Sequence, residues 1–360
     1  MVSVVDYVTQ GTRITLSSLK HRAFPKMYYG TAEQICHQVV NDCWNGDFFQ
    51  TSTGNFPQFW TRDFGWCTQS LLKLKKEKEV NRTLRYALNR FQQHGKITTT
   101  ITPGGKPFDF PTYSVDSLPW LIHSIKLSKF VYYPYKDLLN KEIKRFYETV
   151  INERTGLVRP DVFFSSMKDF AKRKSSCYDN VMVAMLSRDL EEMNLYNPFE
   201  GTDYPALIKR HFWAGSYFFD DLSKRAYIAG DANLFPFLLG IFTDKEMFSS
   251  ALKSIQEAGL DEPFPLKYTS ENKEVGFIWQ EKLIPEYEYN TIWAHMGPLY
   301  IKLLQKVDLQ RAQLLKERYA EMIAKHKSYL EVFFPNGSPY QSLFYYCDRG
   351  MLWAANYLTL

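Results

Sequence analysis

The stretch DLQRAQLLKERYAEMIAKHKSY, residues 308–329, shows most directly which kind of fold the chain adopts. Its apolar side chains recur at spacings of three and four residues, while lysines and arginines take the opposite face. The apolar stripe consists of Leu309, Ala312, Leu315, Tyr319, Met322 and Ile323. This period is typical of an amphipathic helix that packs one face against a core.

The same periodicity recurs along the rest of the chain, and no segment alternates convincingly as a strand does. We therefore predict an all-α fold of about twelve helices, which lie at approximately residues 31–46, 63–78, 80–94, 116–130, 135–152, 177–194, 203–219, 232–242, 244–258, 290–306, 308–329 and 349–359. The longest connections, 95–115, 153–176 and 259–289, hold glycine and proline clusters. Long loops of this kind are usually functional, and together they can form a cleft at one end of the helices.

Antiparallel helix pairs can each bury one face in an inner ring of six helices wrapped by an outer ring of six. An α-solenoid would instead need a repeat of about 34–47 residues, and the sequence shows none. We therefore predict an (α/α)6 toroid. It forms a single domain over residues 1–360, in which residues 1–30 are an N-terminal extension.

Composition limits the classes of partner. The net charge of +5 is small and spread out, without an arginine-rich arm, so we expect no nucleic-acid partner. Five single cysteines, no signal sequence and no apolar run of membrane length predict a reduced, cytoplasmic protein. The aromatic content of 16% fits either a core rich in rings or a cleft whose rings stack on the C–H faces of sugars.

The first candidate for a functional segment is FPQFWTRDFGWC, residues 56–67. Arg62 and Asp63 begin a predicted helix there, next to the rings of Trp60 and Trp66. A helix N-terminus favours an acid. Asp63 therefore either serves only that terminus or joins Arg62 in binding sugar hydroxyls.

Two further helix starts carry an aspartate. In PTYSVDSLPW, residues 111–120, Asp116 either neutralises backbone N–H groups or holds a substrate hydroxyl. In SSCYDNVMVAM, residues 175–185, Asp179 lies among apolar side chains, and burial there raises a carboxyl pKa. A raised pKa suits a general acid at neutral pH, although a carboxylate that only serves the helix start fits as well.

The last candidates lie nearer the C-terminus. In YLEVFFPNGSPY, residues 329–340, Glu331 stands where a helix is predicted to end, a place that the helix dipole disfavours for an acid. Such a conflict marks either a functional carboxylate or a glutamate that points into water. In YEYNTIWAHMGP, residues 287–298, Tyr289 and Trp293 can form an aromatic platform. This region also supplies two rival carboxylates, Glu286 and Glu288.

The sequence contains no motif that is typical of a metal or cofactor site. The seven histidines form no HxH or HExxH motif, and the glycines at 104–105 lack the strand and helix of a phosphate-binding loop. We therefore predict neither a metal nor a cofactor. Paired carboxylates are the chemistry that the sequence supplies best.

In their order along the chain, these segments resemble motifs of the (α/α)6 glycoside hydrolases of the glucoamylase, processing α-glucosidase I and mannosylglycerate hydrolase type. FWTRD (59–63) is similar to their Trp-x-Arg-Asp segment, and SCYDN (176–180) is similar to Ser-Gly-x-Asp-Asn. EVFFPNG (331–337) resembles Glu-x-Tyr-x-Pro-x-Thr-Gly. YNTIW (289–293) resembles their Tyr-x-x-Gly-x-x-Trp signature, and YCDRGMLWAA (346–355) resembles their closing helix.

The resemblance covers roughly residues 55–360 and implies the inverting hydrolysis of an α-glycoside. It implies that Asp179 is the general acid and that Glu331 is the general base. In inverting enzymes the two carboxyl groups stand about 6.5–9.5 Å apart, which leaves room for the attacking water. The implied substrate is an oligosaccharide or a small glycoside. Its expected contacts are Trp60, Arg62, Asp63, Trp66, Asp116, Tyr178, Asn180, Trp279, Tyr289 and Trp293.

Three other functions stay open on the same toroid. A sugar epimerase or isomerase would use His295 as its acid and base, and a phosphorolytic enzyme would need phosphate. A carbohydrate-binding protein would keep an aromatic cleft without turnover. A fold hosts many functions, so the fold alone does not separate these alternatives.

Overall fold

The computed structural model of the chain describes residues 4–270 and 275–360, and within them thirteen α-helices carry the fold. These helices are α1 (Val4–Ala23), α2 (Ala32–Asp42), α3 (Thr61–Lys73), α4 (Glu77–His94), α5 (Ser117–Leu127), α6 (Lys136–Val150), α7 (Cys177–Met193), α8 (Tyr204–Phe212), α9 (Gly230–Leu238), α10 (Lys245–Glu257), α11 (Met296–Leu304), α12 (Leu309–His326) and α13 (Ala354–Tyr357). Two short 3₁₀ helices span Tyr133–Tyr135 and Trp279–Leu283.

Six of these helices close an inner ring. Each of α3, α5, α7, α9 and α11 contacts the next, and α13 contacts both α11 and α3. The outer helices α4, α6, α8, α10, α12 and α2 pack against α3, α5, α7, α9, α11 and α13 in turn. The structure therefore confirms the predicted (α/α)6 toroid.

Burial separates the two rings. Every residue of the inner helix α11 except Lys302 is buried. The outer helix α4 buries one stripe, and this stripe consists of Val80, Thr83, Leu84, Ala87, Leu88 and Phe91. Helix α12 likewise buries Ala312, Leu315, Tyr319 and Ile323, whereas Leu309 in its first turn is 69% exposed. Each fully buried leucine or phenylalanine contributes about 1.5–3 kcal/mol, so these stripes hold the outer ring in place.

Several helix boundaries differ from the prediction because short strands intervene. The strands are β1 (Phe59–Trp60), β2 (Thr100–Ile101), β3 (Pro107–Phe108), β4 (Ala171–Lys172), β5 (Gly276–Phe277), β6 (Ile292–Trp293) and β7 (Val332–Phe333). They pair antiparallel as β1–β2–β3, β4–β5 and β6–β7. The helix predicted at 290–306 begins only at Met296, because β6 is engaged by β7. Since β1 leads directly into α3 and β6 precedes α11, these sheets lie where inner helices begin.

Helix α1 is a feature that the periodicity did not predict, since residues 1–30 were expected only as an extension. Arg13 donates to the backbone carbonyl of Asn55 at 2.9 Å, and Ser18 donates to the carbonyl of Tyr346 at 3.2 Å. These bonds hold α1 against the end of the ring at which α3 and α13 begin. Within the described residues, no helix combines the length and apolarity required to cross a membrane.

Candidate active site

A cavity of about 320 Å³ opens at the end of the ring where α3, α11 and α13 begin. All three long connections of the sequence contribute to its wall, as does α1. The lining residues are Tyr7, Gly11, Ile14, Thr15, Thr51, Phe56, Trp60, Arg62, Asp63, Trp66, Phe110, Met167, Asp169, Phe170, Tyr268, Gln280, Leu283, Ile284, Tyr287, Glu288, Trp293, His295, Glu331, Phe344, Tyr345, Met351 and Trp353. The predicted cleft at one end of the helices is thus present.

Arg62 forms the cationic centre of the cavity. Its guanidinium lies 3.0 Å from an Asp169 oxygen, 3.5 Å from Asp116 and 3.9 Å from Asp63. Although burial opposes its charge, these three acids hold the pKa of Arg62 well above the ordinary value. Arg62 is therefore a permanently charged and rigidly held group.

Asp63, beside Arg62 at the start of α3, also lines the cavity. It is 6% exposed, and its Oδ1 accepts a hydrogen bond from Trp353 Nε1 at 3.0 Å. Burial raises the pKa of Asp63 to about 7, although Arg62 opposes that rise. Asp63 can thus either accept or donate a hydrogen bond near neutral pH.

Glu331 is a cavity carboxylate that three hydrogen bonds hold in one orientation. Its Oε1 accepts from the Tyr287 hydroxyl at 2.6 Å, and its Oε2 accepts from the Tyr345 hydroxyl at 2.5 Å and the Asp348 N–H at 2.9 Å. Its backbone is fixed as well, because the Ala294 N–H donates to the Glu331 carbonyl at 3.0 Å. Burial raises the pKa of Glu331 to about 7, and the nearby Asp348 adds to the rise.

The rival carboxylates occupy different places. Glu286 is exposed and lies outside the cavity wall, and its own N–H donates to Glu281. Glu288 lines the cavity, but its two oxygens accept three backbone N–H bonds, from residues 169–171, at 2.6–3.1 Å. Burial, together with Asp169, raises the pKa of Glu288 to about 8. Glu288 therefore anchors a loop, whereas Glu331 is held by two tyrosines.

Asp169 is a cavity residue that the sequence analysis missed. Its side chain is 16% exposed, and both oxygens contact Arg62 at 3.0–3.3 Å. Ser165 also donates to it. Burial raises the pKa of Asp169, while Arg62 opposes the rise. The sequence does contain a signal for this residue, because Asp169 is an acid that stands between the apolar residues Met167 and Phe170 in a long loop.

Asp179 lies at the start of α7 but is not among the residues that line the cavity. Its N–H donates to the Ser176 hydroxyl at 3.0 Å, and the residue is 6% exposed. Burial raises the pKa of Asp179 to about 6, against the opposing effects of Arg173 and Ser176. Its Oδ1 has no hydrogen-bond partner among the described residues.

Residues 165–173, which we call the covering segment, contribute Met167, Asp169 and Phe170 to the cavity wall, and Ser166 and Arg173 of the same segment lie close to Asp179. The segment is tied down by buried ion pairs, in which Arg173 lies 2.8 Å from Asp231 and 3.4 Å from Asp220. Lys168 lies 3.3 Å from Asp231 and 3.6 Å from Asp220. Ser166, in the same segment, accepts from Arg173 at 2.7 Å.

The other polar residues predicted to contact substrate on this side of the ring hold the fold together. Asp116 is fully buried and accepts from Ser114 at 2.6 Å and from the Tyr178 hydroxyl at 3.2 Å. Asn180 accepts from the Val158 N–H at 3.0 Å and is also fully buried. The structure therefore does not bring Asp116, Tyr178 or Asn180 onto the cavity wall.

The predicted aromatic wall is present in part. Trp60, Trp66 and Trp293 line the cavity, and Trp293 stacks on Tyr268 with ring centroids 4.8 Å apart. Trp279 does not line it, because it projects from a short 3₁₀ helix and its side chain is 65% exposed. Tyr289 is half-buried and also lies off the wall.

His295 lies in the wall beside these rings. It stacks on Trp66 with centroids 4.3 Å apart and is 1% exposed. Burial, with the nearby Arg62, lowers its pKa well below the ordinary value, so the imidazole is neutral at pH 7. The buried polar atoms of cavity residues that have no hydrogen-bond partner within the described chain are Trp60 Nε1, Arg62 Nε, Trp66 Nε1, His295 Nδ1 and Gln280 Oε1.

No protein-family model and no curated protein sequence matches the chain. Solved structures do match its fold. A bacterial glucoamylase complexed with acarbose matches with a TM-score of 0.66 and 12% sequence identity. The match covers 90% of this chain and 54% of that one, so this chain spans about half the length of the glucoamylase.

Two further matches cover nearly the whole of both chains. One is a GH63 mannosylglycerate hydrolase from Thermus thermophilus in complex with Tris and D-glycerate, with a TM-score of 0.59, 12% identity, and 90% and 98% of the two chains covered. The other is a glycosidase variant with a TM-score of 0.64 and 8% identity. This match covers 91% of this chain and 94% of that one. At such identities the likeness shows the fold alone: the chain has the (α/α)6 toroid found in these glycoside hydrolases.

Proposed function

We propose that the chain is an inverting glycoside hydrolase that acts on an α-glycoside. The observation that carries the proposal is the cavity itself, in which an oriented Glu331 shares the wall with Arg62 and Asp63 and with residues whose buried donors have no partner in the described part of the chain. Buried polar groups are normally hydrogen-bonded, so unpaired donors on a cavity wall favour a polar ligand. A sugar supplies hydroxyl oxygens for these donors and C–H faces for the tryptophan rings.

In the proposed complex, Arg62 and Asp63 hold the hydroxyls of the terminal sugar. Arg62 is charged and fixed by three acids, and Asp63 is fixed by Trp353. In the same wall, the indole N–H of Trp66 and one imidazole nitrogen of His295 are buried and have no hydrogen-bond partner among the described residues. Preorganised groups of this kind bind without having to be ordered at the moment of binding.

The proposed reaction is a single displacement. Glu331, ionised, removes a proton from water, and the water oxygen forms a bond to the anomeric carbon. The bond between that carbon and the glycosidic oxygen breaks, and this oxygen receives a proton from Asp179. The products are the free sugar with inverted anomeric configuration and the protonated aglycone.

Asp179 is our assignment for the acid because it combines a buried carboxyl, a raised pKa and an oxygen without a partner. The covering segment must shift for a glycosidic oxygen to reach it. Asp169 is the competing acid, because it already lines the cavity and its pKa is also raised. Its contacts with Arg62 disfavour this role, since a guanidinium stabilises the ionised form.

The comparisons support a sugar ligand. The matched structures include a glucoamylase with acarbose and a mannosylglycerate hydrolase with glucose. The five cysteines are buried free thiols, which fits the cytoplasmic location that we propose with this function.

The test compares two leaving groups. General acid catalysis matters for a poor leaving group and little for one that departs without a proton. Asp179→Asn should lose about 10²–10⁴-fold in kcat on a disaccharide or methyl glycoside, but should keep most activity on the corresponding glycosyl fluoride. Asp169→Asn, the matched control, should not show this pattern. If Asp169→Asn shows the pattern and Asp179→Asn does not, the acid is Asp169.

NMR of the released sugar decides the reaction class in the same experiment. Inversion gives the β-anomer first from an α-glycoside. Retention or the absence of cleavage contradicts the proposal. An isomerised sugar without cleavage would favour an epimerase based on His295, which lies in the cavity wall. A product that forms only with phosphate would indicate phosphorolysis, and binding without any product would indicate a carbohydrate-binding protein.

A further inference from the structure

The inner and outer parts of the cavity differ in polarity. The charged residues and the histidine of the cavity lie deep inside it. Arg62, Asp63, Glu288, His295 and Glu331 are each at most 6% exposed. The side chain of Asp169 is only 16% exposed. The floor of the cavity is therefore the part that can bind a polar sugar.

The lining residues that reach solvent form the mouth, and most of them are apolar. They are Ile14, Phe56, Phe110, Leu283, Ile284 and Phe344, with Gly11, the uncharged polar residues Tyr7, Thr15 and Gln280, and the acid Asp169 at the edge of the floor. Leu283 is 49% exposed and Phe344 45%. Near these residues in the sequence, Leu343 is 79% exposed and Trp279 is 65% exposed. Apart from Asp169, no solvent-reaching residue that the structure describes in this wall is charged.

From this asymmetry we infer that the substrate is a glycoside with an apolar aglycone, alkyl or aryl, rather than an oligosaccharide. The inference rests on the proposed function and specifies the group that leaves. A second sugar in the mouth would lose water from its hydroxyls and find few partners there, which disfavours binding. An alkyl or aryl group would instead bury its surface against the apolar side chains, which favours binding.

Substitution of Gly11 can test this inference. It lies inside α1 and lines the mouth, and a Cβ built on it would meet nothing within 4 Å. A larger side chain at this position therefore has room to enter the mouth without displacing the fold. Alanine also favours a helix over glycine, so substitution here is not expected to weaken α1.

The experiment uses the whole chain with six probes: methyl and n-octyl α-D-glucoside, both below micelle-forming concentration, maltose, and the three equivalent α-D-mannosides. Each buried methylene strengthens binding about fourfold. Since a partly open mouth buries only some of the chain, we expect kcat/KM for the octyl glycoside to exceed the methyl and disaccharide values at least about tenfold. Gly11→Leu should lower the octyl value about tenfold and change the methyl value by less than about twofold. Thr12→Leu, the matched control at an exposed residue of α1 that does not line the cavity, should change neither.

The outcomes separate this inference from the proposed function. If glycosides are cleaved but the disaccharide is preferred, or if Gly11→Leu lowers all probes equally, the apolar aglycone is overturned and the hydrolase stands. If no probe is cleaved, the hydrolase proposal fails for these glycones. Titration calorimetry then still decides the inference, because equal Kd values for octyl and methyl glycosides would contradict it.

Discussion

Five inner helices of the ring, α3, α5, α7, α9 and α11, carry a polar residue at their start, and these residues reach different environments in two halves of the ring. On one side, Asp63 and His295, at the starts of α3 and α11, lie in the cavity wall. On the other side, Asp116, Asp179 and Asp231, at the starts of α5, α7 and α9, lie beneath the covering segment.

The difference lies in the partners. In the covered half, the acids meet buried cations or hydroxyls, and Arg173 alone contacts Asp231, Asp220 and Ser166. In the open half, the helix-start residues lie against indole rings instead: Trp353 donates to Asp63, and His295 stacks on Trp66. An acid at a helix start can therefore serve the fold or take part in a reaction. Which role it has depends on the distant loop that packs against it.

The largest expected effect is in the open half. Glu331→Gln keeps the shape of the side chain but cannot accept a proton from water, so kcat should fall by up to about 10⁴-fold. Glu288→Gln is the matched control, because Glu288 also lines the cavity but holds three backbone N–H groups. The Glu288→Gln variant should have a lower free energy of unfolding, without a specific loss of kcat. Steady-state kinetics and thermal unfolding of both variants separate the two roles, and normal turnover by Glu331→Gln would refute the assignment.

The next effect is in the covered half and concerns stability. Arg173→Met removes an ion-pair partner from the buried Asp231 and Asp220 and leaves Lys168 to offset their charge, so the free energy of unfolding should fall by about 3–5 kcal/mol. Urea denaturation measures this loss. Lys253→Met is the control, because its pair with Glu257 is 73% and 67% exposed and should contribute less than about 1 kcal/mol. Equal losses in the two variants would mean that the ion pairs do not fasten the covering segment.

Local sequence patterns predicted the ring and the parts of the site that adjoin its helices. Trp60, Arg62, Asp63 and Trp66 all lie within α3 or directly before it, so a helix start in the sequence placed them together at the cavity. Glu331 also adjoins a regular element, since it directly precedes β7. The predicted helix end at 329 is reached earlier, at His326.

The remaining features depend on contacts between distant segments, which no local period encodes. Tyr287 and Tyr345 orient Glu331 from two different loops, 44 and 14 residues away along the chain. The ion pair between Lys168 and Asp231 likewise joins a loop to an inner helix. Trp279 illustrates the opposite error, because an aromatic residue near a predicted cleft projects into solvent instead.

The smallest expected effect, the dependence of rate on pH, connects the two halves. Burial raises both carboxyl pKa values, that of Glu331 to about 7 and that of Asp179 to about 6. The reaction needs Glu331 ionised and Asp179 protonated, so kcat/KM of a methyl glycoside should peak between about pH 6 and 7 and fall about tenfold per pH unit on either side. A glycosyl fluoride needs no proton from Asp179. Its rate should therefore rise through about pH 7 with the ionisation of Glu331 and then stay level. A falling alkaline limb with the fluoride as well would show that the covered aspartate is not the group that titrates there.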